Sequence, residues 1–168
     1  MGVFFIGDTH LGHTNAIKWR TNFSTPEEHD ETIFNNIMNV SGKRNQLYIL
    51  GDFCIHKNAF HYVEEIAKSF DKVKLVLGNH DLEREYNPTL NDYINLGIEV
   101  YGFVKYKEFW LSHCPIRPNE LRGKVNIHGH VHDKTIIDCN YFNTSCENVD
   151  FKPISLENIR LQIKSNNV

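Results

Sequence analysis

Lys74-Leu75-Val76-Leu77-Gly78-Asn79-His80-Asp81 is the stretch on which the fold turns. An apolar run stops at a glycine, which lets the chain turn sharply, and then presents an amide, an imidazole and a carboxylate in succession. Alone, Asn-His-Asp also suits a helix cap or a closed loop. Its meaning depends on how the other apolar runs of the chain end.

Residues 3–7, Val-Phe-Phe-Ile-Gly, have the continuous apolar character of a central strand buried on both faces, and they run into Asp8-Thr9-His10. Positions two apart on an extended segment point the same way, so Asp8 and His10 converge while Thr9 faces away. By itself this pair fits equally an aspartate that caps the next helix and a histidine that packs. Residues 46–50 form a second apolar run, ending in Gly51-Asp52. Residues 73–77 are the third, and they lead into the opening stretch. Farther on, residues 100–106 and 109–112 read as a hairpin around Lys107-Glu108 that ends in His113. Residues 125–127 then lead into His128-Gly129-His130-Val131-His132.

Helices separate the first three strands. Thr25 suits an N-cap, Pro26 the first helical position and Glu28 a capping box, followed by an apolar stripe at Ile33, Ile37 and Met38 beside Phe34. Val63, Ile66, Ala67 and Phe70 give residues 60–70 one apolar helical face. Residues 89–95 suit a short helix, 141–142 and 149–151 two more strands, and Ser155 opens a terminal helix. Strand, helix, strand, helix, strand is an α/β pattern, and the carboxyl ends of such strands border the crevice where ligands bind. With no repeat, low-complexity tract or linker, residues 1–168 read as a single layered α/β domain.

At 168 residues, 40% hydrophobic and 23% charged, the chain can bury a core without disulfide or metal staples. Its formal charge of −3 carries no global polyanion-binding signature. Cys54, Cys114, Cys139 and Cys146 form no Cys-x-x-Cys pair and read as free thiols in a reducing compartment. The N-terminal apolar run lacks a basic flank and is too short to span a bilayer. The expectation is a cytoplasmic protein without a membrane partner. Ten histidines are the one compositional excess.

The strand-end groups are Asp8, His10, Asp52, Asn79, His80, His113, His130 and His132. Imidazole and carboxylate without thiolate suit manganese, iron, zinc or nickel. Leaving His80 aside, the remaining groups are too many for one tetrahedral ion and suit two ions sharing a carboxylate. Such a pair, about 3.5–4 Å apart, suits in-line displacement at phosphorus.

The order and wording of Asp8-x-His10, Gly51-Asp52, Gly78-Asn79-His80-Asp81, His113 and Gly129-His130-x-His132 resemble the calcineurin-like metallophosphoesterase superfamily. The opening Asp8-Thr9-His10-Leu11-Gly12-His13 looks most like its compact, capless bacterial and phage members. The resemblance implies a two-layer β-sheet sandwich flanked by α-helices, a four-layer α/β/β/α arrangement, with two divalent ions, manganese first, at the strand ends. By family role Asp8, His10 and His132 would hold one ion, Asn79, His113 and His130 the other, and Asp52 would bridge. The family nucleophile is a hydroxide on or between the metals. His80, paired with Asp81, would sit over the phosphate and assist the leaving oxygen.

His13, Arg20 and His56 are candidate substrate contacts. Against these stand simpler readings: Arg20 as a solvated loop arginine, His29 and His61 as solvated helix residues, and His128 as packing. Cys114 reads as packing too, because a histidine committed to metal is a poor base for a nucleophilic thiol. Many relatives carry a polar residue three positions after the bridging aspartate, where this chain has Ile55, with His56 next. The implied activity is hydrolysis of a phosphomonoester or phosphodiester of a phosphorylated small molecule or nucleotide. A nuclease acting on nucleic-acid ends is the rival enzyme, disfavoured by the acidic charge and the lack of a DNA-gripping domain. A non-catalytic interaction module is the rival class, disfavoured by the complete ligand set.

Overall fold

Strand β1 (Val3–Ile6) sends its side chains into two separate cores, as a run apolar on both faces requires. Ile6 packs toward helices and Phe5 toward a second sheet, both fully buried. The computed structural model describes residues 1–165. β1 pairs in parallel with β2 (Gly42–Leu50), β2 with β3 (Phe70–Val76) and β3 with β4 (Glu99–Tyr101). The second sheet holds β5 (Val104–Tyr106), β6 (Phe109–Leu111), β7 (Val125–His128) and β8 (Tyr141–Asn143). Its first pair is antiparallel and the others parallel. Strand β9 (Ile154–Ser155) returns to the first sheet, antiparallel to β1, giving the order β4-β3-β2-β1-β9.

Helix α1 (Pro26–Met38) starts where the capping chemistry directs: Thr25 Oγ1 accepts the Glu28 N–H at 3.1 Å, and the Glu28 carboxylate accepts the Ser24 N–H at 2.7 Å. Helix α2 (Phe60–Ser69) follows β2, and α3 (Leu90–Asn95) opens with a reciprocal Thr89–Asp92 capping box. Ile33 and Ile37 of α1, Val63 and Ile66 of α2 and Tyr93 of α3 form the first core with Ile6, Leu47, Ile49 and Leu75. Phe5, Tyr48, Leu50 and Val76 meet Phe109, Leu111 and Ile127 in the second core, which Leu156 and Ile159 of α4 (Leu156–Ser165) complete. Two sheets flanked by helices match the expected architecture. No helix among the described residues is long and apolar enough to cross a membrane.

Strands β2 and β3 begin earlier than expected, at Gly42 and at Phe70, so that Phe70 leaves the expected helical face of residues 60–70 to start β3, and two further strand expectations change. The apolar run 100–106 divides between the sheets: β4 ends at Tyr101 beside β3, Gly102 and Phe103 carry the chain across, and β5 begins at Val104. Residues 149–151 form no strand. The Phe151 N–H turns back to the Cys146 carbonyl at 2.8 Å, and Val149 and Phe151 pack on the first core. Their apolarity plugs the core, and the edge position goes to β9.

Candidate metal centre

The parallel strands β1, β2 and β3 end side by side, and β6 and β7 end against them from the second sheet. A backbone bond joins the two edges, Gly7 N–H to Thr144 O at 2.8 Å, and two more hold the ends of β6, β7 and β8 together, Thr144 N–H to His128 O at 2.7 Å and Gly129 N–H to His113 O at 2.9 Å. Asp8 and His10 follow β1, Asp52 follows β2, Asn79 follows β3, His113 follows β6, and His130 and His132 follow β7. The backbone bends sharply to aim them. Asp8, His10, Asp52, His130 and His132 all have left-handed φ, from 50° to 73°. Such strain on non-glycine residues gathers where a site imposes it.

The seven side chains meet. Each aspartate gives one oxygen to a backbone N–H of another motif: Asp8 Oδ2 accepts from His130 at 2.8 Å and Asp52 Oδ1 from His80 at 2.9 Å. The other oxygens face imidazoles. Asp8 Oδ1 lies 4.0 Å from His132 Nε2, and Asp8, His10 and His132 form one cluster of potential ligand atoms. Asp52 Oδ2 stands 3.7 Å from His10 Nε2 and 3.4 Å from His113 Nε2, between the two halves of the set. In the second half His113 Nε2 is 2.9 Å from Asn79 Oδ1 and 3.1 Å from His130 Nδ1.

The protein alone does not satisfy these groups. Asp8 Oδ1 and both nitrogens of His10 are buried without a hydrogen-bond partner among the described residues. Left so, each carries a desolvation cost of about 1–3 kcal/mol, larger for a charged group. A divalent cation is the partner this donor set fits. Protonation states agree. Burial pushes the His10 imidazole well below its ordinary range, with Arg20 adding to it, and pushes the Asp8 carboxyl up against the pull of His113 and His132. Burial would lower His113, but its bond to Asp52 and the charges of Asp8 and Asp52 raise it to about 9. Burial would raise Asp52, but His113 above all holds it at about 2. His113 and Asp52 thus form a mutually stabilised imidazolium–carboxylate pair.

Behind the centre runs a buried chain that sequence reasoning missed. His132 Nδ1 is 3.0 Å from Glu147 Oε1, and Arg20 Nε donates to the same oxygen at 2.7 Å. Arg20 also donates to the carbonyls of Asp8 and Thr9, and its Nη1 is 2.8 Å from His29 Nε2. His29 Nδ1 in turn meets Asp30 Oδ1 at 2.7 Å. Arg20 is therefore neither a solvated loop arginine nor placed on the open side of the site; at 1% exposure it clamps the Asp8 corner from behind. His29, expected solvated, is fully buried in the same chain. A carboxylate on the far nitrogen of His132 and the Leu50 carbonyl on that of His113, at 2.9 Å, fix those rings as metal-ligating imidazoles require.

The opening stretch reads differently in three dimensions. Gly78 does not adopt a left-handed φ; its lack of a side chain makes room, since a Cβ there would lie 2.3 Å from Asp52 Oδ1. Asp81 does not touch the His80 ring. Its buried carboxylate accepts the N–H groups of Gly78, Asp52 and Phe53 at 2.7–3.0 Å, tying the ends of β2 and β3 together. The carboxylate beside His80 is Glu83, with Oε2 2.5 Å from Nδ1. His80 is partly exposed, its ring 6.0 Å from that of His10, and Asn87 holds its carbonyl at 2.6 Å.

His13 lies edge-on to His10, ring centres 5.8 Å apart, and to Trp19 at 5.1 Å. His56 caps the following turn through the Asn58 N–H and stacks on Tyr86 at 5.2 Å. Both line a hollow of about 290 Å³ with Thr14, Asn15, Ile55 and Tyr86. His61 is exposed, and His128 is buried, as expected. Cys114 is not packed but exposed.

The sequence model of calcineurin-like phosphoesterases matches residues 1–162. The chain belongs to the calcineurin-like phosphoesterase family. Among relatives of this phosphoesterase, the uncharacterized protein MJ1445 of Methanocaldococcus jannaschii is 30% identical over 166 residues, covering 92% of this chain and 87% of that protein. The Gene 66 protein of Mycobacterium phage L5 is 28% identical over 163 residues, covering 80% and 79%. The crystal structure of AQ665, a protein of unknown function from Aquifex aeolicus, shares the fold with a TM-score of 0.71 at 26% identity, covering 96% of this chain and 98% of that one. Family membership supports a hydrolase, and the phosphoesterase carries candidate His and Asp groups for the dinuclear centre typical of the family.

Proposed function

We propose that this protein is a metal-dependent phosphoesterase that hydrolyses a phosphomonoester or phosphodiester, nucleotide-like in its leaving group. The observation that carries the reading is the convergence of Asp8, His10, Asp52, Asn79, His113, His130 and His132 around buried, unpartnered ligand atoms. In this reading Asp8, His10 and His132 hold one divalent ion, Asn79, His113 and His130 hold the other, and Asp52 is shared. Manganese is the first choice, with iron, zinc or nickel as alternatives. When bound, the ions supply the positive charge that binds phosphoryl oxygens and makes water acidic enough to act as a nucleophile at neutral pH.

The chain's own groups do the rest. His80 stands at the open rim with Glu83 on Nδ1, which leaves Nε2 to donate a proton to the departing oxygen. Asp81 acts through the backbone by fixing the turn that carries Asp52 and His80. The exposed Trp19 and Tyr86 flank the hollow lined by His13 and His56, a surface suited to a planar leaving group such as a base.

A screen of the manganese-loaded protein against nitrophenyl phosphate, its diester, cyclic nucleotides and single-stranded nucleic acid tests the proposal. Turnover of at least one small ester, lost on chelation, is expected. No turnover of any of them would overturn it, and salt-dependent cleavage of nucleic acid alone would favour the nuclease.

A further inference from the structure

Among the described residues, Cys114 is the one thiol grouped with the strand-end imidazoles. Its Sγ and one ring nitrogen each of His113 and His130 all lie within 4.8 Å of one another. His113 is the buried member of this trio, and Cys114 and His130 are its exposed members. Of these, His113 Nε2 also faces Asn79 Oδ1 at 2.9 Å and Asp52 Oδ2 at 3.4 Å, and His130 Nδ1 lies 3.1 Å from His113 Nε2. Neither other use of a cysteine accounts for it. All four cysteines are free, and this one contributes to no core cluster. The backbone here is pinned, with Ser112 Oγ donating to the Cys114 carbonyl at 2.6 Å and the Ile116 N–H bonded to Asn126 Oδ1 at 3.0 Å. Cys114 is thus held next to His113 by the loop itself.

We infer that Cys114 is a ligand of the second ion, giving that position a nitrogen, oxygen and sulfur donor set that favours zinc or iron there, while manganese stays the first choice for the sulfur-free position and an accepted ion at the second. The inference rests on the dinuclear reading above. Thiolate sulfur selects soft and borderline ions, with zinc–sulfur bonds of about 2.3 Å against about 2.0–2.1 Å for zinc–imidazole. Such bond lengths are compatible with ligand atoms spread over 4.8 Å closing on one centre after small side-chain rotations. On binding, the S–H bond breaks, its proton passes to solvent, and the sulfur lone pair goes to the ion; no electron is transferred. The first position, Asp8, His10 and His132, contains no sulfur, so the two positions differ in the metals they favour.

Cobalt substitution of the full chain reads this directly. Cobalt bound through Cys114 should show a near-ultraviolet thiolate-to-cobalt charge-transfer band, which Cys114→Ser should lose while still binding cobalt. In the unaltered protein, zinc should slow alkylation of Cys114 by iodoacetamide, mapped by peptide mass spectrometry, and leave the exposed Cys139 unaffected. Cobalt binding without the band, a band that survives Cys114→Ser, or equal Cys114 alkylation with and without zinc would overturn the inference while leaving the dinuclear reading intact. A protein that takes up neither cobalt nor zinc would overturn both.

Discussion

At the scale of single residues, His80 and Glu147 separate chemistry from support. His80 faces the open rim and contributes no ligand atom to either half of the centre. His80→Ala should keep its metal and lose about 10²–10⁴-fold in turnover of an ester with a poor leaving group. Metal content and kcat measured on one preparation check this, and a full rate would remove the general-acid role. Glu147 holds His132 and is itself held by Arg20. Glu147→Gln should weaken metal affinity by about 10–100-fold, read by competition with a chelating dye, with little loss of turnover once metal is saturating. Loss of kcat at saturating metal would instead place Glu147 in the chemistry. Sequence alone hid this partner because 127 residues separate Glu147 from Arg20, and no local spacing signals the pair. Asp81 and Glu83 were confusable for the opposite reason. Both are close to His80 in sequence, and only the turn decides that Asp81 faces inward to three N–H donors while Glu83 meets the imidazole.

At the scale of elements, the strand ends make the site, and glycines let them come close. A Cβ at Gly129 would lie 2.4 Å from Asp8 Oδ2, as one at Gly78 would crowd Asp52. Gly78→Ala should therefore cost about 1–3 kcal/mol of stability by overpacking and displace the shared carboxylate. Denaturant melts and metal titration of the variant should move together; unchanged metal affinity would mean that Asp52 tolerates the shift. The strands and helices up to β3 were legible because apolar runs of strand length alternate with stripes of helical period and explicit caps. The run from Val100 to Tyr106 was not. Which sheet a short strand joins depends on its hydrogen-bond neighbour, and β4 and β5 have different ones. Val149 and Phe151 misled in another way, since apolarity marks burial and does not by itself specify extension.

At the scale of the whole molecule, two sheets bring their carboxyl edges together and concentrate carboxylates and imidazoles in one place. Without metal, His113 keeps its proton up to about 9 under the influence of Asp52 and Asp8. That proton stabilises the metal-free fold fully below the ordinary histidine pKa of about 6.5, and the benefit fades as pH rises through about 9. A ligand imidazole must be neutral, so metal uptake expels the proton. Affinity should accordingly rise with pH toward about 9, and calorimetry near neutral pH in buffers of differing ionisation enthalpy should detect proton release. Affinity that is flat over this range would contradict the assignment of His113. Both the motif order and the family match speak for two ions, yet a ligand set is tested by what it binds. The most direct measurement is metal stoichiometry by elemental analysis of the reconstituted protein beside Asp52→Ala. Two divalent ions per chain, falling to one or none without the shared carboxylate, is the predicted result; an unaltered protein that holds no ion, or an Asp52→Ala variant that still holds both, would contradict it.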